Sequence, residues 1–204
     1  MNFRERILAR PAVYRTFKRI VLPSGVLEAL VHDHYVVADG GSVLDLGCGF
    51  GDYAPFFSGR TRYIGIDHNA NYVAAARSLH GTGDATFINA DVTDPAVTEH
   101  GPFDLIMISG VLHHLDDETV TQMARSVAPL LCPGGRFVAL EPVFDPDQRL
   151  SARLIIAADR GRFVRDAAGY KQLLKGSFDS IAATTVNGLL RIPYTHVVVS
   201  ATAA

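Results

Sequence analysis

Val43 to Asp52, Val-Leu-Asp-Leu-Gly-Cys-Gly-Phe-Gly-Asp, constrains the fold of this chain more than any other segment. It reads as a short apolar strand that ends in an acidic residue and runs into a glycine turn. Such a turn lets a ligand press against bare backbone at the mouth of a parallel sheet. Gly47, Gly49 and Gly51 give G-x-G-x-G rather than the G-x-G-x-x-G of the dinucleotide fingerprint. Asp45, just before the turn, adds negative charge where a pyrophosphate would want none. An acid there suits a cationic or amino-bearing ligand.

The same arrangement recurs along the chain. Arg62 to Ile66 reads as a second strand ending at Asp67, 20 residues after Gly47. That is the spacing at which an acid on the second strand tip accepts hydrogen bonds from ribose hydroxyls. Ala85 to Asn89 leads to Ala90-Asp91-Val92, and Phe103 to Ser109 runs into Gly110-Val111-Leu112-His113-His114-Leu115-Asp116. Arg136 to Leu140 follows the turn Cys132-Pro133-Gly134-Gly135 and ends at Glu141. A single acid after a strand is often a helix cap. Four in succession mark the edge where an open α/β sheet binds its ligand.

VLDLGCGFG, YIGIDHN, INADV, FDLIMISGVLHHLDD and LLCPGGRFVALEP resemble the successive motifs of class I S-adenosylmethionine-dependent methyltransferases. The resemblance covers roughly Val43 to Val143. The remaining segments are similar to a bacterial subgroup of small methyltransferases, from which no substrate carries over. The resemblance implies one α/β domain, a doubly wound Rossmann-like sheet of seven strands in the order 3-2-1-4-5-7-6. Its last strand is antiparallel, because Phe178 to Val186 and Tyr194 to Ala201 are joined by a turn too short for a crossover. The expected divisions are a helical cap over 1–40, a cofactor-binding core over 41–143, a helical lid over 144–176 and a terminal hairpin over 177–204.

Composition agrees with one soluble domain. A chain of 204 residues, 48% hydrophobic with formal charge −2, can bury a full core and is not of disordered type. No leader pattern opens it and no apolar run approaches the ~18 residues of a membrane span, so a cytoplasmic enzyme is expected. Two cysteines make no disulfide framework and no zinc pattern. No acid pair with an amide cluster follows the fourth strand, so no metal is expected. Periodicity predicts helices over Phe3–Val21, Val26–Val31, Ala70–His80 (Tyr72, Val73, Ala76 and Leu79 inward) and Asp116–Leu131. Two more follow, over Gln148–Ala158 (Leu150, Leu154, Ile155 and Ala158 on one face) and from Asp166 to Gly176.

Charge is unevenly placed. Residues 1–20 carry six basic groups against Glu5, and residues 149–175 carry seven against Asp159 and Asp166; each segment is +5, leaving −12 elsewhere. These are the two parts free to cover the cleft in this fold. They read either as solvated helix faces or as a basic lid recognising an anionic small-molecule acceptor through guanidinium contacts. Nucleic acid is disfavoured by a sequence pI near 6.4 and no aromatic-rich basic stripe. A monomer or homodimer is expected.

Candidate residues follow. For the cofactor, S-adenosyl-L-methionine, they are Asp67 at the ribose, Gly47 and Gly49 as close-approach positions with Cys48 between, and Asp91 with the Val92 amide at the adenine. Asp45 stands near the amino group or merely orders the turn; His68 flanks the adenine or lies on the surface; the Ser109 carbonyl faces the methionine portion. His113 is the candidate catalytic residue, as general base or orienting donor, with a packed histidine as the alternative. Tyr14, Arg160, Arg165, Tyr194 and His196 are candidates for acceptor recognition, Tyr194 and His196 sharing one strand face. The reaction expected is O- or N-methylation by in-line displacement, which needs positioning more than chemistry from the protein. A noncatalytic S-adenosylmethionine-binding subunit and a nicotinamide-dependent oxidoreductase are the alternatives, the latter opposed by the glycine spacing and Asp45.

Overall fold

A computed structural model describes residues 20–81, 83–158 and 161–203 of the chain. The expected helix over Phe3–Val21 therefore lies almost wholly outside the described residues, as do Tyr14 and Arg160. Seven strands form one sheet: β1 (Ser42–Leu46), β2 (Arg62–Asp67), β3 (Ala85–Asn89), β4 (Phe103–Ser109), β5 (Leu131–Pro142), β6 (Ser180–Asn187) and β7 (Thr195–Thr202). Their order is β3-β2-β1-β4-β5-β7-β6. β1 to β5 are mutually parallel, and β7 runs antiparallel to both β5 and β6. Both the order and the reversed last strand are as the sequence implies.

Strand alternation divides the core into two layers. Leu44, Leu46, Ile64, Ile66, Ile106 and Ile108 face one side, where helices α4 (Asp117–Val127) and α6 (Ala167–Leu174) cover them. Val43, Tyr63, Leu105, Met107 and Val138 face the other, under α1 (Val26–Asp33), α2 (Ala54–Phe57) and α3 (Ala70–His80). A sheet covered on both faces needs nearly continuous apolar strands, which β1, β2 and β4 supply. α4 forms because Asp116 caps it, accepting from the Thr119 N–H at 2.9 Å, and because Val120, Met123, Ala124 and Val127 recur at helical spacing.

Two expectations about helix faces are corrected. In α3, Val73 and Ala76 are buried but Leu79 is 44% exposed; in the last turn Arg77 and His80 reach Phe87 of β3 instead. In α5 (Leu150–Ala157), Ala152 and Ile156 face inward, while Leu150 and Leu154 are 71% and 62% exposed. The apolar positions of α5 occupy two faces, and the smaller side chain at 152 fits against the sheet. Residues 144–176 include two helices with different surroundings. α6 packs on α4, β6 and β7, with Tyr170 and Leu174 in the main core, so it is a layer of the fold.

Truncating the two sides of α5 should separate these roles. Ile156→Ala should cost about 2–5 kcal/mol in urea unfolding, and Leu154→Ala no more than about 0.5 kcal/mol. Equal losses would contradict the orientation of α5.

Candidate active site

The glycine turn is pinned to the end of β2. The Gly47 and Cys48 N–H groups donate to the Ile66 carbonyl at 2.7 and 2.9 Å, and the Gly49 N–H donates to Asp67 Oδ2 at 3.0 Å. Asp67 Oδ1 accepts the Asn69 N–H at 2.8 Å, so the carboxylate is held from both sides and is only 7% exposed. An ionised carboxylate has about four acceptor positions, and two remain for a ligand. Gly49 sits at φ +56° with nothing within 4 Å of where a Cβ would stand, so the turn leaves an open cradle. At Gly47 a Cβ would lie 2.4 Å from Val111 Cγ2, so its bareness serves packing of the loop after β4 as well as ligand approach.

Beyond the turn lies a cavity of ≈ 250 Å³ that brings together Asp45, Gly47, Cys48, Gly49, Ser109 and His196, six of the residues singled out from the sequence. Its polar end also holds Asp52 and Tyr53; Leu22, Val26, Leu27, Leu30, Leu140, Leu189 and Leu190 make the apolar wall. Asp45 is 1% exposed and accepts the Tyr63 hydroxyl, whose ionisation burial and the Asp45 charge push well upward. The Tyr53 hydroxyl and Ser109 Oγ are 3.3 Å apart. Burial also raises the Cys48 thiol far above its ordinary range, so Cys48 is a small wall residue and not a nucleophile. A larger cavity of ≈ 620 Å³ lies across the wall formed by Leu190 and the β6–β7 turn, bordered by Asp145, Arg149, Arg191 and Tyr194. It touches none of the strand-tip acids, so volume alone does not select the site.

His113 stands elsewhere. It is 5% exposed, does not border the ≈ 250 Å³ cavity, and its Nδ1 lies 2.6 Å from Glu141 Oε2. Glu141, at 0% exposure, also accepts the N–H groups of Val111, Leu112 and His113 at 2.9, 2.8 and 3.3 Å. The alternative of a packed histidine is the one the geometry matches. Arg165 is likewise drawn away from the cleft. Its five guanidinium hydrogen bonds run to Asp117 (2.9 and 2.6 Å) and to the carbonyls of Leu112, Phe163 and Leu115. Those contacts tie the segment after α5 to the loop after β4 and engage the whole Arg165 guanidinium.

The remaining candidates divide. The His68 side chain is 80% exposed beside Asp67, at 3.7 Å. Asp91 follows β3 with its carboxyl held below the usual range by the Thr93 N–H and hydroxyl, while the Val92 side chain is in the core. Tyr194 and His196 do meet, ring centroids 4.9 Å apart, with Tyr194 facing the larger cavity and His196 the smaller. Burial lowers His196 to about 4, against an opposing pull from Glu141.

Residues 43–135 match the family model of the methyltransferase domain. The match runs from β1 to the start of β5, just under half of the chain. No curated protein matches it. Among solved structures, the S-adenosylmethionine-dependent methyltransferase SibL in its apo form is 19% identical at TM-score 0.74, over 98% of this chain and 61% of that one. A TehB-like S-adenosylmethionine-dependent methyltransferase from Corynebacterium glutamicum is 15% identical at TM-score 0.71, over 98% and 100%. The pyocyanin biosynthetic protein PhzM is 14% identical at TM-score 0.71, over 99% and 62%. At such identities the likeness is one of fold. The sequence signal missed Glu141 as an organiser, although it stood out as the acid closing the fifth strand. It also missed Leu189 and Leu190, whose turn between the last strands carries no motif.

Two outcomes follow. Glu141→Ala should cost about 3–5 kcal/mol in unfolding free energy, the range for removing one partner of a buried charged network; a loss under about 1 kcal/mol would deny Glu141 that role. For His196, the folded ring resists protonation down to about 4 while the unfolded one titrates near 6.5. The unfolded chain thus binds the extra proton, and stability present above pH 6.5 is lost as pH falls toward 4. His196→Phe should abolish about 2 kcal/mol of the decline between pH 7.5 and 5.0. Parallel urea-stability profiles for the two proteins would refute this.

Proposed function

We propose that this chain transfers the methyl group of S-adenosylmethionine to an oxygen or nitrogen of a small molecule bound in the ≈ 250 Å³ chamber. The observation that carries the proposal is the Asp67 carboxylate, hydrogen-bonded to Gly49 at the lip of an open glycine cradle and inside the segment matched to the methyltransferase domain. When bound, the cofactor supplies a methyl group already activated on a sulfonium. Asp67 holds the ribose hydroxyls, Gly47 and Gly49 admit the chain that follows, and Asp91 with the Val92 amide reads the adenine. Asp45 and the Ser109 carbonyl take the methionine end. The leucine-rich wall excludes water and orients the acceptor in line with the methyl group, which supplies most of the rate.

An anionic acceptor draws less support than charge placement gave it. Arg165 is committed to Asp117 and three carbonyls, and Arg160 lies outside the described residues. Among the described residues no helix is long and apolar enough to cross a membrane. We place the enzyme in the cytoplasm as a monomer or homodimer, in keeping with its two free thiols.

Asp67→Ala should weaken S-adenosylhomocysteine binding, measured by calorimetry, by about 1.5–3 kcal/mol. The wild type should bind NAD far more weakly than S-adenosylhomocysteine and should pass label from methyl-labelled cofactor to small acceptors. An unchanged dissociation constant in the variant would remove the central contact of this reading.

A further inference from the structure

His196 is the one chamber residue with a fully buried side-chain nitrogen or oxygen that has no hydrogen bond among the described residues. It lies on β7 between Pro142 of β5 and Val186 of β6, is 9% exposed, and borders the chamber. Its Nδ1 is sealed within the protein and has no partner. Buried polar atoms are nearly always paired, so an exception at a cavity wall calls for a cause. Sealing Nδ1 leaves Nε2 as the nitrogen that a bound molecule can reach.

The tautomer follows from the same fact. A proton on Nδ1 would bury an N–H with nothing to accept it, and orphaned buried N–H groups are rarer than under-satisfied acceptors. The neutral ring therefore keeps Nδ1 bare and carries its proton on Nε2. The ionisable groups around it are Glu141 at the end of β5 and His113 in the loop after β4, with the Tyr194 ring tilted against it at 44°. Glu141 favours the charged ring; burial, the largest influence, and His113 oppose it and prevail. His196 is a fixed neutral donor at neutral pH, and too weak a base to take a proton from an alcohol.

We propose that His196 is the acceptor-recognition residue, donating from Nε2–H to an oxygen of a small, uncharged and mainly apolar acceptor. This rests on the methyltransferase reading of the chamber. Leu22, Val26, Leu27, Leu140, Leu189 and Leu190 line the chamber with that donor; its charged groups are the Asp45 and Asp52 carboxylates, and among the described residues no lysine or arginine borders it. A ligand carrying a full negative charge would exchange its hydration for leucine side chains and one neutral hydrogen bond.

The test uses the full chain loaded with S-adenosylhomocysteine and three probes of matched size: acetophenone, which only accepts hydrogen bonds, ethylbenzene, which has none, and benzoate, which is anionic. Acetophenone should bind about tenfold more tightly than ethylbenzene or benzoate, with an affinity flat from pH 5.5 to 8.5. His196→Phe should lose about that tenfold for acetophenone, the scale of one neutral hydrogen bond, and leave ethylbenzene unchanged. His196→Gln, which can place an amide N–H near the Nε2 position, should recover part of it. Benzoate as the tightest probe, no measurable acetophenone binding, acetophenone affinity unchanged in His196→Phe, or affinity rising toward acid would each overturn the assignment. S-adenosylhomocysteine affinity should be the same in all three proteins; its absence in the wild type would instead remove the methyltransferase reading and this inference with it.

Discussion

The site depends on one buried carboxylate. Glu141 is sealed at the end of β5, where an unpaired charge would cost several kcal/mol. It is tolerated because three successive backbone N–H groups and the His113 ring converge on its two oxygens. The consequence is geometric. Residues 111–113 cannot leave the sheet edge without stranding that charge, so Val111 stays against Gly47 and the loop closes one side of the glycine turn. Arg165 extends the lock by binding the Leu112 and Leu115 carbonyls from the segment after α5. A rigid loop at the switch point between β1 and β4 is what an open α/β sheet needs to hold a ligand there.

The sheet was legible in the sequence because its signals are local. A parallel strand covered on both faces must be apolar along its length, and Leu-Asp-Leu-Gly, Ile-Gly-Ile-Asp and Leu-Ile-Met-Ile-Ser announce both the strand and the tip where it stops. Helix caps were equally readable: Asp116 and Asp166 accept the N–H three residues on, as their positions before apolar periods imply. What failed were inferences that depend on which of two faces wins. Leu150 and Leu154 are larger than Ala152, and periodicity favoured them; packing against β7 favoured the smaller residue.

The roles of charged residues were the least legible, for a physical reason. A count of arginines gives the charge of a segment but not where each guanidinium points. Arg165 has a carboxylate and three carbonyls within reach, and five satisfied donors outweigh an open cleft. His113 was drawn to the cofactor by its place after β4, yet its ring turns to a carboxylate 28 residues away that no local pattern connects to it. The strand-tip acids were easier. Asp67 has a backbone amide on each side because any acid at that tip meets the N–H groups of the turns that begin there.

The reversed last strand explains how this small chain completes its chamber. β1 to β5 present their carboxyl ends to the ligand edge; β7, being antiparallel, presents its amino end there. His196, second in the strand, therefore lies beside Pro142, the last residue of β5. The turn that precedes it, residues 188–194, is delivered to the same edge and supplies Leu189 and Leu190 to the wall. Had β7 been parallel, the edge would have received residues near Thr202, and the turn would have lain at the opposite end of the sheet. Antiparallel closure thus brings a hairpin turn to one side of the chamber, while the parallel strands bring the glycine turn to the other. The two halves of the chamber answer to different parts of the sequence, and the second carries no motif because a hairpin turn places few demands on the identity of its apolar residues.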